Sequence, residues 1–356
     1  MRALSPLIVA AALSAASVCP ALAQERAMSA APSFERLVKA PSPKTPATAP
    51  APLAEAYDAL LKNQYAKARA LAEPLAAKGD AAAHHLLGYL YEKGLGVRPD
   101  IAAALRHYGD AAIAGNADAQ VALGLLAFEG GGVYPDYERA AGWFRLAAAQ
   151  GDPRADVRLG IMYAEGVGVG KSPVAAAHHF AKAAGRGDAD GAFYLGLSFL
   201  NGDGLPQSYE KAAESFADAA AKGHGEAAYH LALLCESPAL GAPDTDKAAA
   251  LMRQAAEAGF APAFAAMGLI VHRGDAKGLA ADWFEMGARA GDAQAAFLYA
   301  VALSEGDGRE KDVGAAIAIL ERLLAAPETS EPLKAQARAL KKTIAQRTNG
   351  PLTLRN

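Results

Sequence analysis

The feature that most constrains this chain is a glycine that recurs every 36 residues. It stands at Gly79, Gly115, Gly151, Gly187, Gly223 and Gly259. A second set keeps the same register inside apolar segments, at Gly88, Gly124, Gly160, Gly196 and Gly268, with Ala232 at the fifth position. A seventh copy follows after a shorter interval, with Ala300 at that position. A fixed period of this length is typical of stacked structural repeats, each of which contacts only its neighbours.

Residues 117–152 show what one repeat contains. Two apolar segments, Ala117–Glu129 and Asp136–Gln150, repeat small and large apolar residues every four positions, which places them on one helical face. The glycines at 130–132 end the first segment, because glycine adopts positive φ at little steric cost. Asp136 supplies a side-chain oxygen that can cap the second. Each repeat is therefore predicted to be a helical hairpin.

The second helix of each hairpin pairs a small residue with a large one. Alanine stands at one position in all seven copies: Ala104, Ala140, Ala176, Ala212, Ala248, Ala280 and Ala316. One turn later come Tyr108, Phe144, Phe180, Phe216, Met252, Phe284 and Leu320. The small residue lets two helices approach and the large one fills the groove that results, so these positions are predicted to be the core.

These residues resemble a known repeat family. The third copy carries Leu159, Gly160, Tyr163, Gly166, Gly168 and Val169, and the second carries Asp136, Arg139, Ala140, Trp143 and Phe144. This pattern is similar to that of Sel-one-like repeats, which are relatives of tetratricopeptide repeats. The resemblance implies an all-α fold, a right-handed α/α solenoid of 36-residue hairpins. Two copies depart from it: the fifth has Ser237–Gly241 in its loop, and the sixth loses four residues near Gly274.

The N-terminus has the features of a signal peptide. Arg2 precedes an apolar run from Leu7 to Val18 that is too short to span a bilayer, and Ala21 to Ala23 form an A-x-A cleavage site. Cleavage after Ala23 would remove Cys19 and leave one cysteine, Cys235, so no internal disulfide can form. The sequence thus predicts a periplasmic or secreted protein with no membrane span.

The rest of the chain divides by composition. The predicted parts are a signal peptide (1–23), a disordered Pro/Ala-rich linker (24–52), an N-terminal capping hairpin (53–79), seven repeats (80–326), a C-terminal capping helix (327–347) and a flexible tail (348–356). Open arrays need atypical terminal units, because the outermost repeat has no neighbour on one side.

Charge and motifs give no sign of catalysis. A net charge of −3 with interspersed signs offers no basic surface for nucleic acid. The stretch Gly166–Ser172 lacks the first glycine of a phosphate-binding loop and follows a helix rather than a strand. The adjacent histidines at 84–85 and 178–179 diverge by about 100° on a helix, so neither pair can chelate one metal without further ligands. We therefore predict no catalytic residue, no metal site and no cofactor.

The first helix of each hairpin also has one position that is apolar in every repeat. Across the seven repeats this apolar row consists of Tyr89, Leu125, Ile161, Leu197, Leu233, Leu269 and Val301. In one interpretation neighbouring repeats cover this row; in the other it lines a concave groove. In a groove, the residues predicted to bind a partner are Tyr89, Arg154, Arg158, Tyr194 and His230. Arginine and tyrosine combine large contact area with a hydrogen-bonding end, as expected where a peptide or protein segment binds.

Two functions remain open from the sequence. The first is a non-enzymatic periplasmic interaction module, an adaptor, scaffold or regulator that binds another envelope protein or peptide segment. The resemblance implies such roles, and the oligomeric state is not predicted. The alternative is a β-lactam-binding or β-lactam-hydrolysing repeat enzyme, for which Ser208 and Lys211 match an S-x-x-K motif. Members of that subclass carry a cysteine pair in each repeat, which this chain lacks.

Overall fold

The computed structural model describes residues 50–130, 134–273 and 277–348, and all its regular secondary structure is helical. The predicted signal peptide, nearly all of the linker, Gly131, Gly132, Gly274 and residues 349–356 lie outside these ranges. Within the described ranges, no helix combines the length and the hydropathy needed to cross a bilayer. The chain divides between Ser208 and Tyr209 into two compact units.

The described part of the N-terminal unit contains nine α-helices. They are α1 (Ala51–Leu61), α2 (Tyr65–Ala76), α3 (Ala81–Lys93), α4 (Ile101–Ile113), α5 (Ala117–Glu129), α6 (Tyr137–Ala149), α7 (Pro153–Glu165), α8 (Pro173–Gly185) and α9 (Ala189–Asn201). Each packs against the next, so consecutive antiparallel pairs form the layers of an α/α solenoid.

The described part of the C-terminal unit contains eight α-helices. They are α10 (Tyr209–Ala221), α11 (Gly225–Glu236), α12 (Thr245–Glu257), α13 (Ala261–Arg273), α14 (Lys277–Arg289), α15 (Ala293–Glu305), α16 (Val313–Ala325) and α17 (Glu331–Thr348). The irregular loop of the fifth repeat forms a short 3-10 helix, Pro238–Leu240. Leu333, Leu340 and Ile344 of α17 are buried against α15 and α16, which closes the core of this unit.

Side-chain caps and glycines set the ends of the helices. The carboxylate of Asp136 accepts a hydrogen bond from the backbone N–H of Arg139 at the start of α6, as the sequence predicts. Asp80 and Asp100 do the same for α3 and α4. At the C-terminal end of α5, Gly130 has φ +89°, the left-handed conformation that stops a helix. These local signals give α5 the bounds that the sequence predicts.

Within a hairpin, an aromatic ring of the second helix lies on a glycine of the first. A Cβ added at Gly88 would lie 2.6 Å from the ring of Tyr108, and one at Gly124 would lie 2.5 Å from the ring of Phe144. Where alanine replaces this glycine, at Ala232 and Ala300, the second helix carries Met252 and Leu320 instead of a ring. The flat ring thus requires a residue with no side chain beneath it.

Successive repeats touch through a loop glycine and the start of the preceding second helix. A Cβ at Gly96 would lie 2.8 Å from Cβ of Tyr65 at the start of α2. Gly168 lies against the Tyr137 carbonyl at the start of α6, and Gly204 against the Pro173 carbonyl in α8. Since α2 takes the same place relative to Gly96, the hairpin α1–α2 continues the repeat geometry at the N-terminal end.

The apolar row of the first helices is covered. Leu125, Ile161, Leu197, Leu269 and Val301 are all buried, and Tyr89 and Leu233 are half-buried. Of the two interpretations of this row, the structure agrees with coverage by neighbouring repeats. Most of the row is core rather than the open floor of a groove, and Tyr89 and Leu233 keep partial exposure.

Candidate functional site

The first-helix face is the side of α3, α5, α7 and α9 that bears Asp118, Ala122, Leu125, Glu129 and their equivalents. On this face the Arg154 guanidinium of α7 donates to the Asp118 carboxylate of α5 at 2.5 Å, one repeat earlier at the same repeat position. Arg154 also pairs with Asp152, which caps α7. Hydrogen bonding to Asp152 is the largest effect that raises the pKa of Arg154. The pair shows that equivalent residues of successive repeats lie side by side.

A second charged group occupies the other end of the face. Lys93 pairs with Glu92, and the carboxylate of Glu92 accepts a hydrogen bond from the Tyr108 hydroxyl at 2.7 Å. Burial and then the Glu92 charge raise the pKa of Glu129, while Lys93 and then Arg158 lower it. Charges of both signs from three successive first helices therefore interact here.

Exposure separates the predicted binding residues of the N-terminal unit. Tyr89 is half-buried, and the Arg154 side chain is 32% exposed. Arg158 and Tyr194 are only 7% and 4% exposed. The Arg158 guanidinium lies over the Phe144 ring, 5.9 Å from its centroid, and the Tyr194 ring stacks on Phe180. Burial lowers the pKa of Arg158 to about 10, an effect to which Arg154 adds.

His230 lies in the C-terminal unit and is 8% exposed. Its ring stacks on Phe216, with centroids 5.4 Å apart. The sequence alone does not predict that Arg158, Tyr194 and His230 are buried, because a large polar side chain can cover an apolar neighbour with its own body. The role of all five in partner binding stays a prediction.

The C-terminal unit also contains an open cavity of about 470 Å³ between α14, α15 and α16. Glu285 and Tyr299 are among the residues that line it. The Glu285 carboxylate is already engaged by the guanidinium groups of Arg289 and Arg309, at 2.6 and 2.7 Å. This carboxylate thus links α14 to the loop that follows α15.

The histidines of the first repeat lie in two different environments. His85 is buried beside Tyr108, and its pKa is lowered to about 4, chiefly by burial. His84 instead faces His107 on α4, with the two Nδ1 atoms 3.1 Å apart. The sequence prediction that adjacent histidines diverge agrees with this arrangement, but it did not consider a histidine from the other helix. A 23-residue separation between two helices matches no metal-binding motif.

Known proteins resemble this chain in sequence and in fold. The Sel1 repeat family matches at residues 81–116, 117–152, 153–188, 189–224, 225–260, 271–292 and 293–325. No curated protein matches. A Sel1 repeat protein from Oxalobacter formigenes superposes with a TM-score of 0.64 at 24% identity, over 87% of this chain and 99% of that one.

A second solved structure is a protective antigen of uropathogenic Escherichia coli with an SLR fold. The two sequences are 28% identical, and the match covers 80% of this chain and 68% of that protein, with a TM-score of 0.42. The family match extends over most of the chain and coincides with the helical hairpins described above. The chain therefore belongs to the Sel1 repeat family, and its fold is an α/α solenoid.

Proposed function

We propose that this protein is a non-enzymatic periplasmic interaction module that holds a segment of another envelope protein on its first-helix face. Sel1 repeat proteins generally mediate protein–protein interaction and are typically non-enzymatic. The observation that carries the proposal is the pair between Arg154 and Asp118, equivalent residues of neighbouring repeats. It places polar side chains of two successive repeats side by side, so that an elongated partner can contact both.

The exposed part of this face has the chemistry of a recognition surface. Tyr89 offers a half-buried ring close to the charges of Lys93 and Glu129. Tyrosine and arginine are common at binding hot spots, since each adds a hydrogen bond to a large contact area. Charges of alternating sign favour a partner segment with complementary charges and fix its register.

The five predicted binding residues divide into two roles in this proposal. Tyr89 and Arg154 have exposed surface and contact the partner directly. Arg158 and Tyr194 support the surface from below, because their side chains are almost fully buried, and His230 is likewise buried, within the C-terminal unit. Truncating any of the buried three would change packing as well as binding, so only the exposed pair gives a clean test.

The enzymatic alternative has less support. Ser208 stands at the repeat position that holds Asp100, Asp136, Ser172, Asp244 and Asp312, and these residues cap the second helices of their repeats. A capping role explains a serine at this position without catalysis. Turnover of a chromogenic β-lactam by the purified protein, abolished by Ser208→Ala, would instead establish the enzyme.

The experiment that tests the proposal is site-specific photocrosslinking in the periplasm. A photoreactive residue is placed at Tyr89, and in a parallel strain at Val174, which is 67% exposed on α8. We expect one discrete adduct from position 89 and none from position 174. Equal adducts from both positions would contradict the assignment of the face.

A charge reversal provides the matched control. Lys93→Glu changes the proposed surface, whereas Lys67→Glu changes a lysine on α2 that is likewise paired with a glutamate, Glu55. We expect Lys93→Glu to reduce the adduct at position 89 and Lys67→Glu to leave it unchanged. Equal losses in the two variants would indicate a general charge effect and not a binding face.

A further inference from the structure

Three potential metal ligands meet in the first repeat. They are His84 of α3 together with His107 and Asp110 of α4. Their ligand atoms all lie within 4.8 Å of one another. The two Nδ1 atoms are 3.1 Å apart, and the Asp110 carboxylate lies 3.6 Å from Nδ1 of His84.

The fold fixes two of these ligands on one helical face. His107 and Asp110 are three residues apart on α4, a spacing that makes side chains neighbours. The Tyr91 ring of α3 stacks on His107 with centroids 5.6 Å apart and planes 9° apart, which sets the plane of the imidazole. The site is therefore built by the packing of α3 on α4.

The distances suit one small cation. Zinc binds histidine nitrogen at about 2.0–2.1 Å, so two nitrogens in its first shell lie about 3.3 Å apart in tetrahedral geometry and about 2.9 Å in octahedral geometry. The observed separation of 3.1 Å falls between these values. We propose that His84, His107 and Asp110 bind one divalent transition-metal ion of the zinc type, with water completing its coordination.

The electrostatic surroundings also suit such an ion. His84 and His107 are both partly buried, and a neutral imidazole offers a lone pair to a metal ion. Asp110 on the same helix and Glu73 on α2 favour a cation, while Arg106 opposes it. The Asp110 side chain is 61% exposed, which leaves an entry path from solvent. Two imidazoles and one carboxylate favour Zn²⁺ over Mg²⁺ or Ca²⁺.

The third repeat provides an internal comparison. It keeps the stacked pair as Tyr163 on His179, with centroids 5.5 Å apart. At the position of His84 it has Asp156, whose carboxylate lies 2.8 Å from Nδ1 of His179 and also pairs with Arg186. At the position of Asp110 it has Lys182, 3.7 Å from Asp156. Protein cations thus surround the carboxylate there, whereas the first repeat offers three metal ligands.

The test is titration of the untagged, EDTA-treated protein with zinc sulfate by calorimetry at pH 7.5. We expect one tight site per chain in the wild type and in His179→Ala, the matched variant of the third repeat. His84→Ala and His107→Ala should each weaken binding by more than the roughly 10–100-fold that loss of an outer-shell partner costs. Tight zinc binding that persists in both variants, or a wild-type protein without a tight site, would overturn the proposal.

Asp110→Asn keeps the test decisive if a histidine variant misfolds. It retains both imidazoles and the Tyr91 stack while removing the anionic ligand, so far-ultraviolet circular dichroism should match the wild type. We expect zinc to raise the melting temperature of the wild type and of His179→Ala, and to raise that of Asp110→Asn much less. An equal rise in wild type and Asp110→Asn would contradict the assigned ligand set.

Discussion

A ring laid on a glycine is the residue-scale contact that defines each hairpin. In the third repeat, a Cβ at Gly160 would overlap the ring of Phe180, which is itself 4% exposed. The ring also stacks on Tyr194 of the next repeat, with centroids 5.0 Å apart, which restricts its movement. Alanine appears at this position only where the second helix offers Met252 or Leu320, because a narrower aliphatic chain leaves room for a methyl group.

Gly160→Val should therefore destabilise the fold by about 1–3 kcal/mol through overpacking. Gly170→Val is the control, because a Cβ at Gly170 meets nothing within 4 Å. Urea melts of the two variants measure the difference as a shift of the midpoint. If the two midpoints coincide, the ring does not constrain the glycine as described.

His85 is the second residue-scale feature with a measurable consequence. It occupies a position held by Phe193 and Phe297 in other repeats, both of them buried. Burial is the main cause that lowers its pKa to about 4, with Arg154 adding to the effect and Asp118 and Glu92 opposing it. A histidine in unfolded chain has a pKa near 6.5, so the unfolded state binds the proton more readily.

The sign of the pH effect follows from that difference. Above about pH 6.5, His85 does not lower the free energy of unfolding. As the pH drops from 6.5 towards 4, its contribution lowers that free energy by an amount on the order of 3 kcal/mol. His85→Phe should remove this part of the acid sensitivity. Denaturant melts of both proteins at pH 7.5 and pH 5 give the difference, and parallel losses in the two would show that His85 is not responsible.

At the scale of helices, sequence signals at the two ends of a helix are sufficient to predict its bounds. The bounds Ala117–Glu129 could be predicted because a capping residue and a left-handed glycine flank an apolar period of 3.6. The burial of Arg158 and Tyr194 could not, since periodicity identifies faces but not which of two faces a neighbouring repeat covers. The meeting of His84 with His107 depends on the packing of two helices, which no local spacing encodes.

Loops also determine how one hairpin meets the next. Gly168 has φ +67°, and a Cβ added there would overlap the backbone of Tyr137 at the start of α6. Gly187 has φ +85° but has nothing within 4 Å of an added Cβ. The two glycines share the left-handed conformation and differ in their contact with the neighbouring repeat.

Gly187→Ala should therefore cost only the conformational penalty of about 1–2 kcal/mol. Gly168→Ala should cost that amount and, in addition, about 1–3 kcal/mol for displacing backbone that cannot rotate away. Thermal or urea melts of the two variants give the comparison. A smaller loss for Gly168→Ala than for Gly187→Ala would mean that the loop does not transmit packing between repeats.

At the scale of the whole molecule, the described chain has a separate core on each side of the boundary between Ser208 and Tyr209. That boundary falls inside the fourth repeat, between its first and second helices. The 36-residue period identifies the repeats but treats every junction alike, so it cannot predict where the chain divides.

The export proposal is tested on the intact chain through its two cysteines, Cys19 and Cys235. Cleavage between Ala23 and Gln24 removes Cys19, so the exported protein should contain one thiol per chain in denaturant. That thiol should react slowly in the native state, because Cys235 is 9% exposed and burial raises its pKa.

N-terminal sequencing and intact mass complete this test. We expect the envelope fraction to yield a chain that begins at Gln24. The variant Ala23→Arg, which disrupts the small-residue site, should retain both thiols and the full N-terminus. A chain that begins at a lipid-modified Cys19 would also titrate as one thiol, but its mass and blocked N-terminus would distinguish it. That result, or an envelope protein that retains Met1, would reject cleavage after Ala23.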